Sequence, residues 1–591
     1  MIDRTTKLRW RRNLRRKQRK LETISSDAEQ QLDRHFFRRL GRLYEVRRFV
    51  ISWVLLITLL LGLTVVQTRA LGTYYQSTKP IAGGIYSEGI IGSFTNANPI
   101  FATNEVDSSV SRLIFSGLMG YNSDNVLVGN LAENLRVDAT GKVYTASLKE
   151  GLLWHDGKPV TAKDIVFTFA AIQNPDTRSP LFSAWQGIKV AAVNDNTITF
   201  TLPNVLASFP ASLTLGIIPK HILDTTEPGN LRSSVFNTTK PIGSGPFKWN
   251  GVEVKGNKVE DRQQQISLSA NSRYHKGRPE LTQFIVRTFL DEKQMLASFD
   301  LGELNAMAGI EELPDELKED IAISQYNVPV TGAVMVFINT ATVDVQIRRA
   351  LVSAVDQRNV LKELSYPSIA VKSPFLRSMI GYDPTSLQRP YDVDAANKTL
   401  EAAGWIAGTD GIRVKDGNKL ALELNTLNDR EYARVARELK SQWKKVGIEV
   451  TVTSLDQTNL QVAVDERTYG LLLYGISLGL DPDQFAYWHS SQADVLAKRR
   501  LNFSNYKSTV ADAALEAGRT RTNPSLRAAK YKPFLDAWRD DVPAVALYQP
   551  RFLYVSRGEV YNFDVKVVNT PSDRFINVHD WMIRTERVTN D

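Results

Sequence analysis

The chain predicts an α/β protein of two or more globular lobes, tethered to a membrane by one N-terminal helix. Three observations predict it. With 591 residues, the chain is too long for a single hydrophobic core. From about residue 83 onward, short apolar strands, Gly/Pro turns and helical stretches alternate, as they do in α/β and mixed folds. Residues 49–68, FVISWVLLITLLLGLTVVQT, carry no charge over 20 positions. As a helix they span about 30 Å, the thickness of a bilayer's hydrocarbon layer.

The first 48 residues form a basic arm. They hold 16 Lys and Arg against 6 Asp and Glu, and the remainder is balanced at 57 against 58. The main body therefore lacks the charge that nucleic acid attracts, and no nucleic-acid partner is expected. Within the arm, Trp10, Leu14 and Leu21 recur at helical spacing, and Leu32, Phe36, Leu40 and Leu43 form a second stripe. Basic amphipathic helices beside a membrane lie on anionic lipid, which is preferred here over contact with a cytoplasmic protein.

Arg47-Arg48 at the edge of the apolar run places the N-terminus in the cytoplasm and the main domain outside. A cleaved signal peptide is the alternative. A 48-residue leader is long for one, and no small-x-small cleavage site follows Val66 cleanly. The chain contains no cysteine. That excludes disulfides, metal–thiolate sites and a lipid-modified cysteine, and leaves the helix as the evident tether.

Residues 69–82 read as a linker. Further on, Asp156-Gly157 makes a turn, and Thr161 followed by Asp164 has the form of a helix N-cap, with Ile165, Val166 and Phe169 on the buried side. Gly243-Ser244-Gly245-Pro246 leads into an extended stretch, so a tight turn between strands is favoured over a phosphate loop, which would feed a helix. Residues 350–355 and 395–403 read as helices. Leu420, Leu422 and Leu424 alternate as a strand. Ala436, Leu439 and Trp443 then share one face of a helix over 432–446, and Gly447 ends it. Ile448, Val450 and Val452 alternate again. The result is a β-α-β unit and hence a parallel pair of strands.

A search for catalysis returns little. There is no GxxxxGK[ST], HExxH or GxSxG. The six histidines, His35, His155, His221, His275, His489 and His579, show no spacing suited to a metal. Asp481-Pro482-Asp483 reads as a loop or helix start. No enzyme, cofactor or metal is expected.

Taken in order, these segments resemble the family 5 extracellular solute-binding proteins, which include the oligopeptide, dipeptide and nickel binders of ABC importers. The markers include Asn98-Pro99, IFSGL at 114–118, LKEGLLWHDGKPVTAKDIVFTF at 148–169 and PIGSGPF at 241–247. NSRYHKGRPEL at 271–281, IRRALVSAVDQRNV at 347–360 and YDVDAANKTLEAAGW at 391–405 continue the series. WKKVGIEV at 443–450, DPDQF at 481–485 and VPAVALY at 542–548 complete it. The resemblance implies a two-lobed, type II periplasmic-binding-protein fold that closes on a solute by hinge motion. It implies a first lobe over 83–331 with an extra subdomain at about 125–236, a second lobe over 332–548, and a return of 549–591 to the first. It also implies a monomer that binds peptides or another small solute and docks on permease subunits.

The resemblance places Thr103, Asn104 and Glu105 on the first lobe's side of the cleft and Ile476, Ser477 and Leu478 on the second's. Trp185 and Tyr548 are candidate aromatic walls. Peptide binders of this family hold the ligand's α-amine with an aspartate four residues before the DP-type proline. Leu478 stands there in this chain. Either another acid, such as Glu105 or Asp481, takes that role, or the ligand has no free amine at this point. A surface sensory or adhesive receptor on the same fold, or a binder of a non-peptide solute, is the alternative function.

Overall fold

The computed structural model describes residues 47–256, 262–494 and 500–589, together with Lys17. The basic arm and its two apolar stripes lie outside the described residues. Two units are distinguished, one of residues 1–79 with 585–591 and one of residues 80–584.

In the first unit, a helix runs from Arg47 to Tyr75. Its segment Arg48–Arg69 is long and apolar enough to cross a membrane, with a mean hydropathy of 2.7. The hydroxyls within Arg48–Arg69 find acceptors on the helix itself. Ser52, Thr58 and Thr64 donate to the carbonyls of Arg48, Val54 and Leu60 at 2.8, 2.8 and 2.7 Å. Each carbonyl lies one turn back, so these three hydroxyls do not need water. The expected linker over 69–82 is not an irregular segment. The helix continues to Tyr75, and a strand, Gln76–Ile81, follows at once. That strand pairs with Arg584–Thr589 at the end of the chain.

The second unit is built on two large sheets. The first lobe's sheet has seven strands, in the order 323–329, 551–557, 306–308, 85–91, 283–289, 263–270 and 247–255. Ile85–Ile91 lies inside it, parallel to both Gln283–Phe289 and Ala306–Ala308. Its run of five consecutive buried residues is that of a strand covered on both faces. The strand Arg551–Arg557, from the far end of the chain, is antiparallel to both its neighbours.

A four-stranded antiparallel sheet, in the order 132–137, 143–148, 197–201 and 189–194, forms a subdomain of this lobe. Beside it lies the helix Ala162–Gln173, closed at its start by the capping box of Thr161 and Asp164.

The second lobe's sheet has six strands, in the order 369–370, 544–549, 332–338, 471–477, 421–427 and 449–455. Ala421–Leu427 and Glu449–Leu455 are parallel, with Ala421 opposite Glu449, and the helix Arg430–Lys444 joins them. Ala436, Leu439 and Trp443 on that helix are fully buried. The Trp443 indole donates to the Leu351 carbonyl at 3.0 Å, which fixes the helix against its neighbour. Gly447 follows with φ +80°, the left-handed conformation that ends a helix.

The chain passes between the lobes twice, from Pro329 to Gly332 and from Gln549 to Arg551. Thr331, in the first passage, is fully buried. Its carbonyl accepts from Leu478 and Gly479, its N–H donates to Val568, and its hydroxyl donates to Asn569.

Candidate functional site

Strands of both sheets end at the line where the lobes meet, and loops beyond those ends wall a cavity of about 330 Å³. The first lobe supplies Glu105, Glu311, Glu312 and Arg551. The second supplies Tyr366 and the start of the helix after Ala421–Leu427, with Asp429, Arg430, Glu431 and Arg434. Helix starts after strand ends are where α/β folds hold ligands.

Glu105 opens the helix Glu105–Ile114, which Asn104 caps by accepting the Asp107 N–H at 2.8 Å. The other end of the helix is held by the glycine turn. Gly245 donates to the Ile114 carbonyl at 2.8 Å. A Cβ on Gly243 would lie 1.9 Å from that same oxygen, so no other residue fits there. His155 locks the turn, accepting from Gly243 at 3.2 Å and reaching the Gly245 carbonyl at 3.1 Å. Burial pushes the His155 pKa down to about 4, so the ring is neutral and structural.

The Glu105 Oε1 atom is buried and has no hydrogen-bond partner. Burial raises its pKa, opposed by the nearby Arg574 guanidinium and assisted by Glu88. Arg574 is already engaged. It is fully buried, meets Glu88 Oε1 at 2.6 Å, and donates to Ser109 Oγ and the Pro571 carbonyl. Glu105 therefore faces the cavity with a carboxylate whose donor the fold does not supply.

Opposite, Glu431 accepts the Tyr548 hydroxyl at 2.7 Å. Burial raises the Glu431 pKa, and hydrogen bonds from Tyr548 and Tyr366 oppose the rise. Glu311 is raised by burial and by the charges of Asp429 and Glu292. Arg551 stacks on the Tyr366 ring at 3.9 Å, and Arg434 meets Glu312 across the lobes at 3.5 Å.

A second cavity, about 370 Å³, adjoins the same passages through Pro329 and Gln549. Its walls are apolar, with Ile369, Phe375, Leu376 and Tyr382, and it holds Lys372 and Arg377. One cavity is thus rich in carboxylates, and the other is apolar with two cations.

The sequence-predicted site residues divide between cleft and core. Glu105 lines the first cavity. Thr103 and Asn104 are exposed just before it, and Ser477 is exposed at the end of its strand. Ile476 and Leu478 are buried in the second lobe's core. Trp185 is a correction. It is 3% exposed and stacked on Phe169 at 4.0 Å, so its ring fills the subdomain core. Tyr548 is likewise buried, and only its hydroxyl reaches a cavity residue. Asp481 is held by Arg527 through two bonds of 2.7 and 2.8 Å and lines neither of these cavities. Sequence reasoning missed Asp429, Glu431, Tyr366 and Arg551. The signal for the first two was Asp429 at a helix start directly after a predicted strand.

The model of the bacterial extracellular solute-binding proteins, family 5, matches residues 126–496. The chain belongs to that family, in which the protein is a binding protein of ABC transport systems and not an enzyme. Among its relatives, the oligopeptide-binding protein AppA of Bacillus subtilis is 27% identical over 521 residues, covering 82% of this chain and 92% of AppA. The AppA structure in complex with a nonapeptide matches at a TM-score of 0.67 and 25% identity, over 86% of this chain and 100% of that one. NikZ of Campylobacter jejuni, solved with Ni(L-His), matches at 0.69 and 25% identity, over 84% and 99%. The two-lobed periplasmic-binding-protein fold is common to all three. Among the described residues, no group of three or more His, Asp or Glu is placed to hold a metal ion.

Proposed function

We propose that this chain is the membrane-anchored solute-binding subunit of an ABC importer, and that its solute is a peptide held between the lobes and passed to a permease. The observation that carries the reading is the interlobe cleft itself. It offers the unpartnered carboxylate of Glu105 in one cavity and Lys372 and Arg377 among apolar walls in the other. An extended molecule with a positive group, apolar side chains and a negative group complements both. With Leu478 in the core and Asp481 held by Arg527, Glu105 is the one of the two candidate acids that lines the cavity and leaves a carboxylate oxygen without a protein partner. AppA, a relative across most of both chains, is an oligopeptide-binding protein, which supports the same solute class.

The tether is read the same way. Arg48–Arg69 spans the membrane, the basic arm lies on the cytoplasmic leaflet's anionic lipid, and the body stands outside. Mass spectrometry of molecules released by denaturing the full, detergent-solubilised chain tests the solute. Peptides of a few residues are expected in near-stoichiometric amount. Recovery of a non-peptide solute in their place would overturn the peptide assignment.

A further inference from the structure

We propose that the subdomain loop 203–209 is a clasp that seats on the second lobe and sets how long the closed form lasts, without touching the solute. Two hydrogen bonds make the contact. The Ala207 N–H donates to the Arg519 carbonyl at 3.0 Å. The Ser208 hydroxyl donates to Asp483 Oδ2 at 3.4 Å. The loop belongs to the first lobe's subdomain, whereas Asp483 and Arg519 belong to the second lobe. In sequence, the clasp is more than 100 residues from the nearer passage between the lobes.

Both partners are prepared for the contact. Arg519 ends the helix Thr509–Arg519, so its carbonyl is one of the last four that a helix cannot satisfy from within. The missing donor comes from the other lobe. Asp483 is held in place by Arg519 Nη2 at 3.2 Å and by the Phe485 N–H at 3.3 Å, and the Arg519 guanidinium lies 4.2 Å over the Phe485 ring. Arg527, clamped on Asp481, donates to the Gly518 carbonyl and steadies the same helix end. On the subdomain side, the Tyr144 hydroxyl bonds the Leu206 carbonyl at 3.2 Å, and Phe209 is anchored in the core. The seat and the loop are therefore each rigid, and only their meeting depends on lobe position.

Lobe opening must break both bonds, and none of Ala207, Ser208, Asp483 and Arg519 lines either of the two cavities. The clasp therefore shifts the open–closed equilibrium by a fixed factor whatever lies in the cleft. Two hydrogen bonds of ordinary net strength correspond to a factor of roughly ten.

The test needs no solute, so its failure is distinct from failure of the peptide assignment. The chain has no cysteine. Cysteines introduced at the exposed Val193 of the subdomain and Val510 of the second lobe can carry the sole spin labels. Electron–electron resonance on the full, solute-free chain in detergent then reads the spread of lobe separations. A short-distance population is expected, and Ala207→Pro, which removes one of the two bonds, should cut it about threefold relative to the open form. Ser208→Ala should cut it severalfold. If Ala207→Pro fails to fold by circular dichroism, Ser208→Ala decides alone. Distance distributions that superpose on that of the parent would overturn the proposal.

Discussion

Glu105 concentrates a conflict between stability and binding in one side chain. Its ionised carboxylate is penalised by burial and has no internal donor. A carboxylate whose folded pKa lies above its unfolded value weakens the fold at neutral pH, and the penalty fades as pH falls through the folded value. Glu105→Gln is therefore expected to raise the melting temperature of the empty protein at pH 7 by a degree or more. The same change should weaken binding of a peptide with a free amine about tenfold to a hundredfold, the loss of one charge-assisted hydrogen bond. With Glu105 intact, affinity for that peptide should decline on acidification sooner than an ordinary carboxylate would cause. Protonation at the raised pKa removes the attracting charge. Calorimetric titration of both proteins across pH checks each sign. Equal affinities would show that the amine sits elsewhere.

That outcome also shows how far single residues can be read from a sequence. Asp481 and Glu105 are both acids near expected cleft positions, and nothing local separates them. What separates them is Arg527, 46 positions away, which takes up Asp481, and Glu88, which takes up Arg574 and leaves Glu105 without a donor. Trp185 fails as a wall for a related reason. An aromatic ring in a sequence has no address until Phe169, Phe200 and Phe209 close around it.

The helices and strands were far more legible, because their periods are local. The β-α-β unit, the capping box at Thr161 and Asp164 and the stop at Gly447 follow from side-chain spacing and caps. The strand in the stretch after the apolar helix is not legible locally, because Gln76–Ile81 is a strand through its pairing with Arg584–Thr589. The glycine turn at 243–245 was legible as a turn, but not as the brace of a cleft helix. Its demand is steric. Gly243→Ala puts a methyl against the Ile114 carbonyl, which must move. A loss of about 2–3 kcal/mol is expected from such overpacking. Because the helix carries Glu105 at its other end, peptide affinity should fall together with the melting temperature. A variant with parental stability and affinity would remove the turn from the site's support.

At the scale of the whole chain, the proposed anchor is Arg48–Arg69, long and apolar enough to cross a membrane. A retained span holds the body at the membrane, whereas a cleaved signal releases it. In cells expressing the full chain, alkaline carbonate is expected to leave the protein in the membrane pellet at its full mass of 66.3 kDa. Protease added outside should digest the body. Release of a protein shortened by about 70 residues would show cleavage instead.

One arrangement governs the order in which this protein can be made. The strand Arg551–Arg557 lies inside the first lobe's sheet, and Arg574, Phe575 and Trp581 complete that lobe's core. The buried Glu88–Arg574 pair joins positions 486 residues apart. The second lobe's six strands all fall between 332 and 549, so that lobe can fold as soon as it emerges. The first lobe begins to emerge earlier and finishes later. Nearly 250 residues with an incomplete sheet must wait until the last forty arrive, and an unpaired charge at Glu88 waits with them. The interval between those events is when this chain is most exposed to aggregation and most in need of a chaperone.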